Sequence, residues 1–177
     1  MRRHVQKISS KWCAALLLPA TMVIAGCSSI DCPLNNRVAA TVKWADGNAA
    51  LRNDTLTVST LRSQAEGDDS VLVNKATAVD SITLPVSYSR TEDVYFFALS
   101  LNTAEGGTAK QLCDTVRIQK QNEPHFDAVD CSPTVFHTVT GVSCTHNAID
   151  SIQITNNHVT YNDAKAHFLI YFKTDRH

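Results

Sequence analysis

Val38, Ala40, Val42 and Trp44 stand at every second position, with small, polar or charged residues between them. Ile82, Leu84 and Val86 repeat the pattern, as do Val116 with Ile118, Ile152 with Ile154, and Phe168 with Ile170 and Phe172. A period of two puts alternate side chains on one face of an extended chain, so each run reads as a β-strand with one face in a core. No stretch long enough to judge sustains the period of a helix, which leaves amphipathic helices no place as a main element. Val94 to Leu101 is apolar almost throughout and is expected to be covered on both faces.

Turn signals separate the runs at Asp46-Gly47-Asn48, Glu66-Gly67-Asp68-Asp69, Glu105-Gly106-Gly107, Asn122-Glu123-Pro124 and Asn156-Asn157. Short strands at this spacing predict an all-β fold, an antiparallel β-sandwich of about nine strands with Ig-like proportions. A small β-barrel is the alternative. Residues 32–177 show no linker or low-complexity tract and read as a single domain.

The first residues follow a different rule. Arg2, Arg3, Lys7 and Lys11 precede an apolar stretch from Cys13 to Ala25, and Ile24-Ala25-Gly26 lead into Cys27. A charged start, a short apolar run and small residues before a cut define a signal peptide, here residues 1–26. The apolar run falls well short of the roughly 20 residues that spanning a bilayer takes. Ile-Ala-Gly-Cys resembles the lipobox of bacterial lipoproteins, which implies that Cys27 is acylated and becomes the mature N-terminus. Residues 27–31 then form a lipid anchor with a very short tether. Cleavage before Cys27 takes away four of the 16 basic residues and none of the 17 acidic ones, leaving 12 against 17, a balance of −5. This balance speaks against nucleic acid and against electrostatic docking on anionic lipid, so the membrane is reached through the lipid. Among the residues just after Cys27 only Asp31 is acidic, which favours an outer membrane protein facing the periplasm.

Cys32, Cys113, Cys131 and Cys144 remain in the mature chain. An even number in an oxidising compartment predicts two disulfides, with three possible pairings. Their wide spacings include no C-x-x-C pair and fit no compact zinc site.

Five triplets share the form Asp-Ser/Thr-apolar: Asp54-Thr55-Leu56, Asp69-Ser70-Val71, Asp80-Ser81-Ile82, Asp114-Thr115-Val116 and Asp150-Ser151-Ile152. Each is expected to open a strand, because Asp followed by a hydroxyl residue favours local bonds that end a turn. The triplet also resembles the O-glycosylation acceptor of exported proteins in some Gram-negative gut anaerobes. On that reading Thr55, Ser70, Ser81, Thr115 and Ser151 are the acceptor hydroxyls.

No nucleophile elbow, zinc-protease helix, phosphate loop or dinucleotide fingerprint is present, and the expectation is a non-enzymatic protein without a cofactor or a bound metal. His125, His137 and His146 lie close together in the chain and are the strongest basis for a ligand or metal module. Strand alternation, however, puts His137 out of phase with Cys144 and His146. Glu66-Gly67-Asp68-Asp69 and Asn162-Asp163 offer oxygen ligands but lack the spacing of a calcium loop, so they read as solvated turns.

The chain as a whole resembles an uncharacterised lipoprotein family of gut-type Gram-negative anaerobes, a domain of unknown function. The matching segments are Asp31-Cys32-Pro33-Leu34-Asn35-Asn36, Asp54 to Val58, Asp69 to Asn74, Leu84 to Tyr88, Pro124-His125-Phe126 with Asp130-Cys131, Phe136-His137-Thr138, and Thr145 to Ile152. The resemblance implies a compartment and carries no activity. It also implies a pairing: Cys32 and Cys131 lie in recurring motifs while Cys113 and Cys144 are additions, so Cys32–Cys131 and Cys113–Cys144 are expected. The functional expectation is an envelope lipoprotein serving as a binding or structural module for an envelope protein or glycan. The alternative is a small-ligand or metal-binding module using the His125–His146 region.

Overall fold

The computed structural model describes residues 32, 37–51, 53–61, 69–102, 110–161 and 165–175. The chain divides into two compact units, Met1–Cys32 and Pro33–His177, and every strand described belongs to the second. Those strands are β1 (Ala39–Trp44), β2 (Thr55–Leu61), β3 (Asp69–Ala76), β4 (Ser81–Pro85), β5 (Glu92–Ser100), β6 (Gln111–His125), β7 (Thr134–Cys144), β8 (Ile149–Ile154), β9 (His158–Val159) and β10 (Phe168–Phe172). The fold is all-β and sandwich-like. A four-stranded sheet has the order β4-β1-β10-β8, and a six-stranded sheet has the order β3-β2-β5-β6-β7-β9; one of the two curls into a half-barrel.

The alternating residues build the core as the sequence predicts. Val38 just ahead of β1, with Ala40, Val42, Trp44, Phe168 and Ile170 from the smaller sheet, joins Leu56, Val58, Tyr95, Phe97, Leu99, Val116 and Ile118 from the larger one in one buried cluster. Each large apolar side chain buried there contributes roughly 1.5–3 kcal/mol against leaving it in water. Trp44 illustrates the packing: its ring lies 5.4 Å from that of Phe172, and its indole N–H donates to the Val79 carbonyl at 2.8 Å.

Four features depart from expectation. The sandwich is not purely antiparallel, since β1 pairs with β10 in parallel, Val42 opposite Phe168 and Trp44 opposite Ile170. Strand β5 is buried on one face only, because Val94, Phe96 and Ala98 lie on the half-exposed outer side of the larger sheet. Asn122-Glu123-Pro124 is not a turn: β6 runs through it, with Pro124 opposite Val135. Pairing with β5 ends at Gln119, so Pro124 lies on a free edge where its missing N–H costs no ladder bond. The fourth is that Phe126-Asp127-Ala128-Val129, apolar at three of four positions, forms no strand and lies in the loop joining β6 to β7.

Candidate functional site

Polar residues that occupy inward positions mark one end of the larger sheet. Asp93 continues the inward row of Tyr95, Phe97 and Leu99, and Lys120 continues that of Val116 and Ile118; both are buried. Lys120 Nζ lies 3.5 Å from Asp93 Oδ2 and donates to the Ser87 carbonyl at 2.5 Å, to the Arg90 carbonyl and to Asn122 Oδ1 at 2.9 Å. Asp93 Oδ2 also accepts the Ser87 N–H at 3.1 Å, and Arg90 Nε stands 3.5 Å from Oδ1. Burial dominates both partners, pushing the Asp93 carboxyl up and the Lys120 amine down despite their attraction. Together they pin the Ser87–Arg90 bend, which carries the exposed Tyr88, to strand β6.

His137 joins this group through a bulge. Gly141 pairs with Gln119 but Val139 with Lys120, so one extra residue of β7 is accommodated there. The extra residue resets the alternation: His137, Val139, Val142 and Cys144 all lie opposite inward residues of β6. His137 and Cys144 are therefore in phase, which corrects the alternation read from sequence.

His137 Nδ1 lies 2.8 Å from Asn122 Oδ1. Asn122 Nδ2 donates to the Arg90 carbonyl at 3.0 Å, and Oδ1 already accepts from Lys120, so the amide orientation is fixed and His137 Nδ1 must carry the proton. Burial and the nearby Lys120 ammonium lower the His137 pKa to about 4, which keeps the ring neutral. With Arg37, Val38, Val86, Tyr88, Pro133 and Val135, His137 lines an apolar cleft of about 230 Å³. Common small-molecule sites run from about 300 to 1,000 Å³.

The tip of the β6–β7 hairpin adjoins the cleft through Pro133. His125 stacks on Phe136 with ring centroids 4.3 Å apart, and Tyr161 meets Phe136 edge-on at 5.0 Å. Tyr161 Oη donates to Asp127 Oδ2 at 2.7 Å and lies 2.6 Å from Thr134 Oγ1. In the intervening loop Phe126 and Val129 face outward while Cys131 is buried.

The histidines do not converge. His125 stands at the hairpin tip opposite Thr134, His137 faces inward, and His146 follows the far end of β7, where its Nδ1 lies 3.9 Å from Cys144 Sγ. Among the described residues no three His, Cys, Asp or Glu side chains gather as a metal site. Residues 66–68 and 162–163, the acidic turns, lie outside the described residues, as does Cys27.

Cys32 and Cys131 are joined in a disulfide. The second expected bridge is absent: Cys113 and Cys144 are both free. Cys144 pairs with Val116, whose side chain is buried, whereas Cys113 belongs to the outward row of β6 three positions earlier. Two cysteines whose Cβ atoms point to opposite faces of a sheet cannot be bridged without backbone movement. Burial, with Asp114 and Asp150 nearby, raises the Cys144 thiol pKa and leaves it a weak nucleophile.

Four of the five triplet aspartates divide into two kinds, and the side chain of Asp69 lies outside what is described. Asp80 and Asp150 are exposed, and each accepts from the next hydroxyl, Ser81 at 2.8 Å and Ser151 at 3.5 Å. Asp54 and Asp114 are buried. Four triplets stand at strand openings, but Asp114 lies inside β6, because its carboxylate is occupied by a distant turn. Of the hydroxyls, Ser151 is exposed and Thr55, Ser70, Ser81 and Thr115 are half-buried.

A sandwich-like β domain with an apolar end built on its β6–β7 hairpin is the class that this geometry defines. The chain belongs to a family of unknown function (DUF6452), matched over residues 55–172, that is from β2 to the end of β10. Cys32 and β1 lie upstream of the matched stretch. No curated protein and no solved structure matches the chain.

Proposed function

We propose that the protein is a lipid-anchored, non-enzymatic module of a Gram-negative cell envelope, held at the outer membrane on its periplasmic side. One observation carries the reading: the signal-like start ends at Ile24-Ala25-Gly26-Cys27, five positions before a cysteine that is disulfide-bonded to the β domain. Five extended steps reach about 17 Å, so acylation at Cys27 would hold the domain against the bilayer rather than on a stalk. Anchoring raises the effective concentration of the domain for a membrane-side partner without adding contacts. That partner is an envelope protein or glycan meeting the exposed surface of the sandwich. Replacing Cys27 with Ala should release the protein into the soluble periplasmic fraction. Retention on membranes after a carbonate wash would refute the anchor.

The apolar cleft beside His137 favours a second reading, a module for a small apolar ligand with one neutral imidazole as its polar contact. Its volume favours the first reading over this one.

A further inference from the structure

We infer that the β6–β7 loop docks into the headgroup layer of the same membrane through Phe126 and Val129. The inference rests on the lipoprotein reading above. Val129 is 99% exposed and Phe126 63%. Val129 gains nothing from folding as it stands and most of Phe126 stays in water, and an exposed cluster of this kind marks a surface that something covers. Tyr88, 64% exposed, lines the cleft with Pro133 of the same loop, and the exposed Tyr161 bonds to Asp127 within it. Four of the six large exposed hydrophobics among the described residues thus gather at this end, leaving Val71 and Tyr171 elsewhere.

The covalent path selects the occupant. Cys131 follows Val129 by two positions and is bonded to Cys32, and Cys32 follows Cys27 by five. A lipid on Cys27 therefore ties this loop, rather than another part of the sandwich, to within about 17 Å of the acyl chains, measured from Cys32. Tyrosines with an apolar ring and a polar tip suit the water–lipid boundary. Asp127 and Asp130 are exposed in the loop, so attraction to an anionic surface plays no part and a zwitterionic headgroup layer is the surface that fits. Two apolar side chains are too few to hold a domain on a bilayer alone, but they set its orientation once the lipid holds it there.

The test uses the full lipidated protein with Phe126→Trp, reconstituted in zwitterionic vesicles whose acyl chains carry bromine. Buried Trp44 serves as the reference in the unsubstituted protein. The introduced indole should be quenched by about twofold or more against unbrominated vesicles, while Trp44 stays unchanged. Adding Val129→Asp should abolish the quenching with the circular dichroism unaltered. An introduced indole that is not quenched in membrane-bound protein, or quenching that survives Val129→Asp, overturns the docking. Cys27→Ala separates the two readings: its retention on washed membranes sinks the lipid anchor, whereas its release together with an unquenched indole in the lipidated protein sinks the docking alone.

Discussion

The Asp114 carboxylate accepts the backbone N–H of Ile149 at 2.8 Å, far along the chain from it. The same Oδ2 accepts from Ala148 at 2.7 Å, and Oδ1 accepts from the Asn147 N–H and the Thr145 hydroxyl, both at 2.7 Å. One buried side chain thereby satisfies the turn that leads from β7 into β8. Strand β8 belongs to the smaller sheet and β6 to the larger, so this carboxylate helps fix how the chain crosses from one sheet to the other. Burial alone would raise the Asp114 pKa, but the four donors outweigh it and hold the carboxyl below its usual range.

Asp114→Asn should cost about 2–4 kcal/mol, because an amide offers one acceptor where two are used and turns a donor toward backbone N–H groups. Since the folded-state pKa is depressed, the contribution of the carboxylate is complete above the unfolded value near pH 4 and fades as pH falls through the folded one. Urea unfolding followed by circular dichroism should show the deficit at pH 7 and a shrinking gap below about pH 4. Equal stability of the two proteins at pH 7 would refute the account.

His137 gives the protein a second pH dependence, in a separate window. Its folded pKa of about 4 lies below the ordinary value near 6.5, so the unfolded chain binds more protons between them. Stability is complete above about pH 6.5 and falls as pH drops toward 4, by on the order of 3 kcal/mol at most. Asp93, with its pKa raised, acts in the opposite sense within the same group. The difference between the native protein and His137→Gln isolates the imidazole. Its slope against pH should vanish above pH 6.5 and be positive below it, and a flat difference across the window would disprove the buried neutral ring.

Cysteine reactivity should follow the faces of the sheet. Non-reducing peptide mapping should recover Cys32 joined to Cys131, with Cys113 and Cys144 alkylated without reduction. Exposed Cys113 should react first, since Cys144 is partly buried and its thiol resists ionisation. A Cys113–Cys144 peptide in freshly isolated protein would contradict the register of β6 and β7.

The buried polar group was legible in part. Asp93 and Lys120 each stand in phase with an apolar row, and a charge at an inward position of a strand requires a buried partner. Nothing local says that the two meet, because Asp93 and Lys120 are brought together by the antiparallel pairing of β5 with β6. His137 was noticeable but misplaced. Alternation assumes an unbroken strand, and the bulge near Gly141 shifts every residue before it to the other face.

Pattern along the chain was enough to establish that this protein is built of strands, which residues of most strands face the core, and that a short apolar run precedes Cys27. Those properties follow from local periodicity, which acts over a few residues and needs no partner strand. The parallel pairing of β1 with β10, the opposite faces taken by Cys113 and Cys144, and the gathering of Tyr88, Phe126, Val129 and Tyr161 at one end came only with the folded chain. Each depends on which strands pair and in what register, and that choice is made by packing the whole core at once.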